Sequence, residues 1–305
     1  MRLLTVLIFI TLELFIPNTV VAAEIPLWDR LETVVVNSRD YENPFKDVEL
    51  DAEFTSPSGK KVNFFGFYDG DGRGGQEGSV WKLRFMPNEL GKWSYACRFS
   101  DGAPGTQGTF TCTRRGAKPG PLRTQGPWLR FADGTAYYPR SYYLSEVFSG
   151  QSPHWEQKID LIFGDMYKYN MCCTTFWQGK LLTKNVWNNL PYNEFHPVLD
   201  GDYMRLDLAS WKHVDEVLER LASRGTIWYN FDGFIPNVGS GMNGEQREDF
   251  EAQKVYIRNV VARLAPNWNV TWNIVFEWWE FLSVDQIQQL ARKSHREKTL
   301  GVANS

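Results

Sequence analysis

The 305-residue sequence has few cysteines and histidines, four of each, and little net charge, which is −3 at pH 7. Four cysteines in a chain of this length do not form a disulfide scaffold, and their spacing does not suggest a zinc site. The balanced charge gives no electrostatic footprint for nucleic acid or an anionic membrane. No Walker or GxGxxG loop follows a predicted strand, which argues against a nucleotide cofactor. We therefore expect no cofactor, no metal and no nucleic-acid partner.

Long hydrophobic runs are also scarce, and the run at the N-terminus is short for a membrane span. Arg2 precedes an apolar run from Leu3 to Ile16, and Val21-Ala22-Ala23 supplies the small residues of a cleavage site. A spanning helix needs about 20 apolar residues. The pattern predicts a secretory signal peptide at residues 1–23, a secreted or periplasmic protein, and no other membrane contact. An N-terminal membrane anchor is the alternative, because Glu13 makes the run irregular.

The sequence is rich in tryptophan, with 13 residues, and aromatic side chains make up 15% of the chain. Indole rings usually line a core or stack on a ligand. In the front half, apolar and polar residues alternate in short segments that are separated by turn residues. The predicted strands are Thr33–Val36, Val48–Phe54, Lys61–Phe67, Val80–Phe85, Trp93–Phe99 and Gly108–Cys112. This spacing predicts a β-sandwich of the immunoglobulin-like type over residues 24–113.

Four ordered motifs in this region support a more specific expectation. They are Asn43–Val48, Gly66–Gly72, Trp81–Pro87 and Gly91–Tyr95. Together they resemble the N-terminal β-sandwich domain of unknown function that precedes (β/α)8 glycoside hydrolases in many secreted bacterial proteins. The resemblance covers about residues 28–113 and implies no catalytic residues in this part of the chain.

Two features of the front half raise questions of cross-linking and metal binding. Cys97 and Cys112 point inward from neighbouring predicted strands, so a cross-strand disulfide and two buried free thiols are both open. Asp69-Gly70-Asp71-Gly72 resembles half of a calcium loop, but Arg73 occupies the position of the next oxygen ligand. A flexible glycine turn is the better interpretation of that segment.

Residues 114–130 are basic and rich in proline and glycine, with no acidic residue. A solvated linker explains this composition better than a basic docking strip does. We place the domain boundary here, so that a second domain occupies residues 131–305.

Strand-like and helix-like segments alternate in the second domain. The predicted strands are Tyr137–Leu144, Met171–Trp177, Thr226–Asp232 and Val270–Phe276, and Ser152 is the expected N-cap of the first helix. Repeated βα units imply a parallel sheet, although doubly wound sheets and barrels look alike at this level. Acids, amides and tryptophans follow the strands, namely Glu146, Trp177, Asn230, Asp232, Glu277 and Trp278. Such residues at strand ends are typical of the active face of a (β/α)8 barrel and suit a carbohydrate.

The fourth predicted strand carries the best candidate for catalysis. Its sequence from Asn269 to Glu280 resembles strand four of clan A glycoside hydrolases, and the resemblance implies that Glu277 is the general acid/base. The neighbouring Phe276, Trp278 and Trp279 would partly desolvate this carboxyl group, which keeps it protonated near neutral pH. The family usually has asparagine before this glutamate, where this sequence has Phe276. A structural carboxylate is the alternative for Glu277, and Glu280 is expected to be a solvated loop acid.

These observations predict a β-sandwich followed by an α/β (β/α)8 TIM-type barrel, of which only about the first half is present. Only about 170 residues remain from Tyr137 onward, whereas a full barrel needs about 250. The expected function is hydrolysis of a polysaccharide or oligosaccharide, with Trp187 in a long loop as a further sugar contact. A non-catalytic glycan-binding protein, an inactive fragment of a hydrolase and a polysaccharide lyase that uses Tyr143 or Tyr229 are the alternatives.

Overall fold

The computed structural model describes residues 23–148, 152–174, 198–199, 202–230, 250–273, 283–285 and 288. The expected signal peptide lies outside these residues except for Ala23. Within the described ranges, no helix is both long enough and apolar enough to cross a membrane.

Residues 23–113, which we call the front unit, form two sheets. The strands are β1 Ala23–Pro26, β2 Leu31–Val36, β3 Leu50–Thr55, β4 Lys61–Phe65, β5 Phe67–Tyr68, β6 Val80–Phe85, β7 Gly91–Phe99 and β8 Gln107–Thr113. One sheet has the order β1-β8-β7-β3-β4 and the other has the order β2-β6-β5. Neighbouring strands are antiparallel except for β1 and β8, which are parallel. All six strands predicted for this region are present.

The two sheets of the front unit pack face to face through aromatic side chains. Phe54 of β3 stacks on Phe85 of β6 with ring centroids 3.9 Å apart. Trp81 of β6 meets Phe99 of β7 edge-on at 5.4 Å. The alternation of buried and more exposed positions along β3 places every second side chain in this core, and each fully buried aromatic ring stabilises it by about 1.5–3 kcal/mol.

The disulfide between Cys97 and Cys112 does not form, and all four cysteines are free thiols. Cys112 of β8 pairs with Gly91 of β7, and Cys97 lies six residues further along that strand. At about 3.3 Å per residue the two Cα atoms are roughly 20 Å apart. A disulfide requires them to be within about 7 Å.

The segment expected to be a linker contains a hairpin. Strand β9 (Leu122–Gln125) pairs with β10 (Trp128–Phe131), which also pairs with β11 (Ala136–Tyr137). Gly126 turns the chain with a left-handed φ of 58°, a conformation that glycine adopts without steric cost.

From residue 141 onward, which we call the back unit, four strands form a parallel sheet. Strands β12 (Ser141–Tyr143), β13 (Met171–Thr174), β16 (Ile227–Asn230) and β17 (Val270–Thr271) lie side by side in chain order. The helices are α1 (Trp155–Phe163), α2 (Leu208–Ser223) and α3 (Phe250–Leu264), and β14 (Val198–Leu199) pairs with β15 (Asp202–Leu206) before α2. These four parallel strands lie within the four strands predicted for this region.

The starts of the first two helices differ in how well their caps could be predicted. The N-cap of α1 is His154 in a left-handed conformation with no side-chain cap, so the prediction of Ser152 was wrong. The N-cap of α2 is Asp207, whose carboxylate accepts the backbone N–H of Ser210 at 2.9 Å. Such a bond satisfies one of the free amides of the first turn and stabilises the helix by about 1 kcal/mol.

Candidate functional site

The carboxyl ends of the parallel strands define one edge of the back unit. Neighbouring strands pair in register, so that Thr174 at the end of β13 lies beside Asn230 at the end of β16. Glu146 follows β12 in a 3-10 turn, Glu146–Phe148. Because ligands of parallel sheets bind at this edge, we take it as the candidate site.

One face of the parallel sheet is packed against the rest of the protein. Cys172 and Trp228 occupy this face, and neither is exposed to solvent. The ring of Trp228 stacks on Phe148 with centroids 5.1 Å apart, and its indole N–H donates to the hydroxyl of Thr174 at 2.8 Å. This packing fixes the turn that carries Glu146 against the ends of β13 and β16.

The opposite face of the sheet is more open among the described residues. Tyr143, Cys173, Tyr229 and Thr271 are in register on this face. Tyr143 is 54% exposed, and the other three are half-buried. Burial and the nearby Cys173 raise the pKa of Tyr229. Burial also raises the pKa of the Cys173 thiol, against a hydrogen bond from Ser141 that lowers it. The raised pKa values keep Tyr229 and Cys173 neutral at pH 7. Tyr143 and Tyr229 together offer aromatic surface and hydroxyl groups on this face.

The structure describes two of the residues predicted for the site. Glu146 is half-buried, and its carboxylate lies 3.9 Å from the ammonium group of Lys158. Asn230 is 1% exposed. By the alternation of β16, Asn230 shares the helix-facing side of the sheet with Trp228. Glu146 follows β12 and Asn230 ends β16, and one strand lies between these two in the sheet. The two strands are therefore roughly 10 Å apart.

The remaining predicted site residues, Trp177, Trp187, Asp232, Glu277 and Trp278, lie outside the described residues, as does Glu280. The open face instead presents Tyr143 and Tyr229, which the sequence suggested only for a lyase. The alternation of side chains along a strand could have placed them, since Tyr143 is the last residue of β12 and Tyr229 is the residue before the last of β16.

The glycine turn from Asp69 to Gly78 does not resemble a metal site. The Asp71 carboxylate accepts the backbone N–H groups of Arg73 at 2.7 Å and Gly75 at 2.8 Å. These bonds lower the pKa of Asp71 and hold the turn closed. The Asp69 carboxylate pairs with Lys82 and Arg263 at 2.7 and 2.9 Å. In the described part of the chain, no three metal-ligating side chains of the His, Cys, Asp or Glu type converge.

Comparison with known proteins gives a family match for the first part of the chain and similar solved structures for most of it. Residues 24–100 match a family described as a domain of unknown function, DUF5060. No curated protein matches the sequence. Among solved structures, the chain is similar to a "putative glycoside hydrolase" from Bacteroides vulgatus ATCC 8482, at 25% identity and a TM-score of 0.73. That similarity covers 90% of this chain and 54% of the other.

Two further solved structures are more distant. One is a glycoside hydrolase at 16% identity and a TM-score of 0.42, with 60% of this chain and 40% of the other covered. The other is the chitinase ChiW from Paenibacillus sp. str. FPU-7, at 12% identity and a TM-score of 0.20, with 72% and 17% covered. This chain therefore spans about half the length of the Bacteroides protein, with which it shares a fold across both the front and the back unit.

Proposed function

We propose that this protein is a secreted glycoside hydrolase-like protein that acts on a plant or algal polysaccharide. Its front unit would be a β-sandwich, and its four parallel strands would be the first half of a (β/α)8 barrel. The observation that carries the proposal is the order of these strands in the sheet, which equals their order in the chain. A doubly wound sheet reverses its strand order at a switch point, whereas a barrel does not.

The proposed sugar site is the carboxyl edge of the parallel sheet. Tyr143 and Tyr229 on the open face provide aromatic surface, and Glu146 provides a carboxylate at the rim. Neutral aromatic and hydroxyl groups suit the ring faces and hydroxyls of a sugar. In this proposal Trp177, Trp187, Asp232 and Trp278 complete the subsite. The buried Asn230 shapes it from behind, because it shares the helix-facing side of β16.

The proposed general acid/base is Glu277, which follows Thr271, the last residue of β17, by six positions. Its protonated carboxyl group would donate a proton to the glycosidic oxygen as the bond to the anomeric carbon breaks. A second carboxylate about 5–5.5 Å away would act as nucleophile and give retention of configuration. In the second step the Glu277 carboxylate would take a proton from water, which attacks the anomeric carbon and releases the sugar.

Replacing Glu277 by glutamine tests the assignment. The amide keeps the shape of the side chain but cannot donate the proton, so release of reducing sugar should fall by a factor of about 100 or more. Binding of the same polysaccharide, measured by affinity electrophoresis, should persist. Glu280→Gln is the matched control and should retain turnover. Retained turnover in Glu277→Gln would remove the assignment.

A second candidate is a glycan-binding protein without hydrolytic activity. The observation in its favour is that the described residues of the candidate edge include the aromatic side chains of Tyr143 and Tyr229 but a single carboxylate, Glu146, whereas hydrolysis with retention needs two. Polysaccharide retained in affinity electrophoresis, with no reducing ends released over days, would favour this candidate.

Secretion remains part of the proposal and has its own test. N-terminal sequencing of the protein recovered from the medium or periplasm should begin at Glu24. An intact Met1 would contradict the signal peptide.

A further inference from the structure

Part of the outer face of the three-stranded sheet β2-β6-β5, along β5 and β6, carries charged side chains that are buried. In a front unit standing alone this face would meet water, since the other face packs on the five-stranded sheet. Arg84 and Asp69 on this outer face are each 2% exposed, because helices α2 and α3 of the back unit cover them. Buried charges are tolerated in proteins only when a partner neutralises them.

The back unit supplies those partners. The Asp215 carboxylate of α2 accepts two hydrogen bonds from the Arg84 guanidinium, both at 2.8 Å, and one from Arg263 of α3 at 3.0 Å. Arg263 also donates to Asp69 of the front unit at 2.9 Å. Both guanidinium groups lie against the ring of Phe67, with their central carbons 5.1 and 4.9 Å from its centroid. Charges of opposite sign therefore alternate across the contact. Within the front unit Arg84 also pairs with Glu32 and Asp69 with Lys82, both at 2.7 Å, so the contact joins the charged groups of both units into one network.

The glycine turn of the front unit holds the start of α2. The Gln76 side-chain amide donates to the Leu206 carbonyl at 2.9 Å and accepts the Leu208 backbone N–H at 3.2 Å. A Cβ atom on Gly70 would lie 2.8 Å from the Leu208 side chain and 1.9 Å from the Gly75 carbonyl. Glycine is therefore required where the turn approaches the helix.

The segment around Asn43 makes a third contact. The Asn43 side chain donates to the Met204 carbonyl in β15 at 3.1 Å. From the other side, the Asn259 side chain of α3 donates to the Phe45 carbonyl at 3.3 Å. Three of the four motifs that mark this kind of domain, Asn43–Val48, Gly66–Gly72 and Trp81–Pro87 with its Arg84, thus lie at the contact with the back unit.

We propose that residues 24–100 act as an intramolecular scaffold, which docks on α2, α3 and the segment 202–208. That segment leads into α2, where a ring nitrogen of His213 lies 2.9 Å from the carbonyl oxygen of Val147 in the turn that carries Glu146. The scaffold therefore supports the candidate site through α2. The motif residues themselves make the docking contacts, so the scaffold role requires no ligand on the front unit. The inference stands on the contacts alone and does not depend on the hydrolase proposal.

Labelling of the cysteine thiols during urea unfolding of the whole chain tests this inference. Cys112 reports the five-stranded sheet and Cys172 reports the parallel sheet, and both thiols are buried. Burial raises the pKa of Cys112 to about 11 and raises the pKa of Cys172 well above its usual value, so neither is labelled quickly in the native state. If the units are docked, both thiols become reactive at the same urea concentration. Midpoints that differ in the wild type by more than about 0.5 M urea would overturn the proposal.

Two phenylalanine variants separate docking from general stability. Phe67→Ala removes the ring between the two arginines, and it should split the midpoints of Cys112 and Cys172 by more than about 0.5 M urea. Phe110→Ala removes a ring that stacks on Trp93 inside the front unit, and it should lower both midpoints together. A shared midpoint in Phe67→Ala, as in the control, would contradict the scaffold role.

A milder variant covers the case in which Phe67→Ala does not fold. Gln76→Ala removes the two hydrogen bonds to the start of α2 and should make residues 202–208 exchange backbone hydrogens at least tenfold faster than in the wild type. Ser58→Ala, in a front-unit turn where the hydroxyl donates to Glu89, is the control and should leave that segment unchanged. Equal exchange in both variants would contradict the proposal.

Discussion

Replacing Asp215 by asparagine perturbs the contact between the two units at its centre. Asp215 is 8% exposed, and its two oxygens accept three hydrogen bonds from Arg84 and Arg263. Asparagine retains one acceptor oxygen and turns an amide N–H₂ group toward a guanidinium group. The substitution therefore removes the negative charge that the two buried guanidinium groups share, while Arg84 keeps Glu32 and Arg263 keeps Asp69 as partners.

The expected cost can be worked from these contacts. Each hydrogen bond to a charged partner contributes about 1.5–3 kcal/mol, so losing two of the three costs about 3–6 kcal/mol. Breaking a buried ion pair from one side costs about 3–5 kcal/mol. The two estimates agree on a loss of about 4 kcal/mol in the free energy of unfolding, or a Tm lower by roughly 8–16 °C.

Urea unfolding followed by tryptophan fluorescence measures this loss, and Asp160→Asn is the matched control. Asp160 pairs with Arg220 and Arg224, but its side chain is 30% exposed, and solvent screens such pairs to about 1 kcal/mol or less. A loss below about 1 kcal/mol for Asp215→Asn, equal to the control, would refute the reasoning.

Three further outcomes are expected. Although burial alone would raise it, the charges of Arg263 and Arg84 lower the pKa of Asp215, so its stabilisation is present above the unfolded pKa of about 3.9 and is lost as the pH falls below that value. The free energy of unfolding should therefore fall less steeply below pH 4 in Asp215→Asn than in the wild type, and equal slopes would refute this. Mass spectrometry after alkylation in urea without reductant should find Cys97 and Cys112 both modified, whereas an unmodified pair would mean a disulfide. Gly70→Ala should destabilise the protein by about 1–3 kcal/mol more than Gly59→Ala, whose added Cβ meets nothing within 4 Å, and an equal cost would contradict the close approach at Gly70.

The strands of the front unit could be predicted because their alternation is strong. Leu50–Thr55 buries every second side chain, and such a pattern survives in the sequence alone. Alternation gives the face of a side chain but not the register of its strand. For this reason alternation predicts that Cys97 and Cys112 both point inward. Their separation along the hairpin depends on the register of β7 and β8, which the sequence does not specify.

The contact between the units could not be predicted for a different reason. Arg84 and Asp69 lie on an outer sheet face, where charged side chains normally meet water. Their partners Asp215 and Arg263 are more than 100 residues away in the sequence, and no local pattern connects them. The β9–β10 hairpin was missed because arginine, proline and glycine dominate its surroundings and obscure the alternation of two strands of four residues each.

At the candidate site, the sequence predicted which described residues stand near the carboxyl ends of the strands, and their roles stay predictions. Glu146 and Asn230 follow parallel strands at their carboxyl ends, as expected. Whether Asn230 or Tyr229 faces the open side depends on which side of the sheet the helices cover. That is a property of packing, which the order of residues in a single strand does not determine.

Hydrogen exchange with bound polysaccharide tests the central claim most directly, namely that the carboxyl edge of the parallel sheet is a carbohydrate site. The Glu277→Gln variant would be incubated with a panel of soluble plant and algal polysaccharides, such as xyloglucan, galactomannan and laminarin. For the polysaccharide that binds, we predict slower exchange at residues 143–148, 226–230 and 270–273, with no change in β1 and β8 at the far edge of the front unit. Protection confined to the front unit, or no protection with any of the panel, would contradict the account.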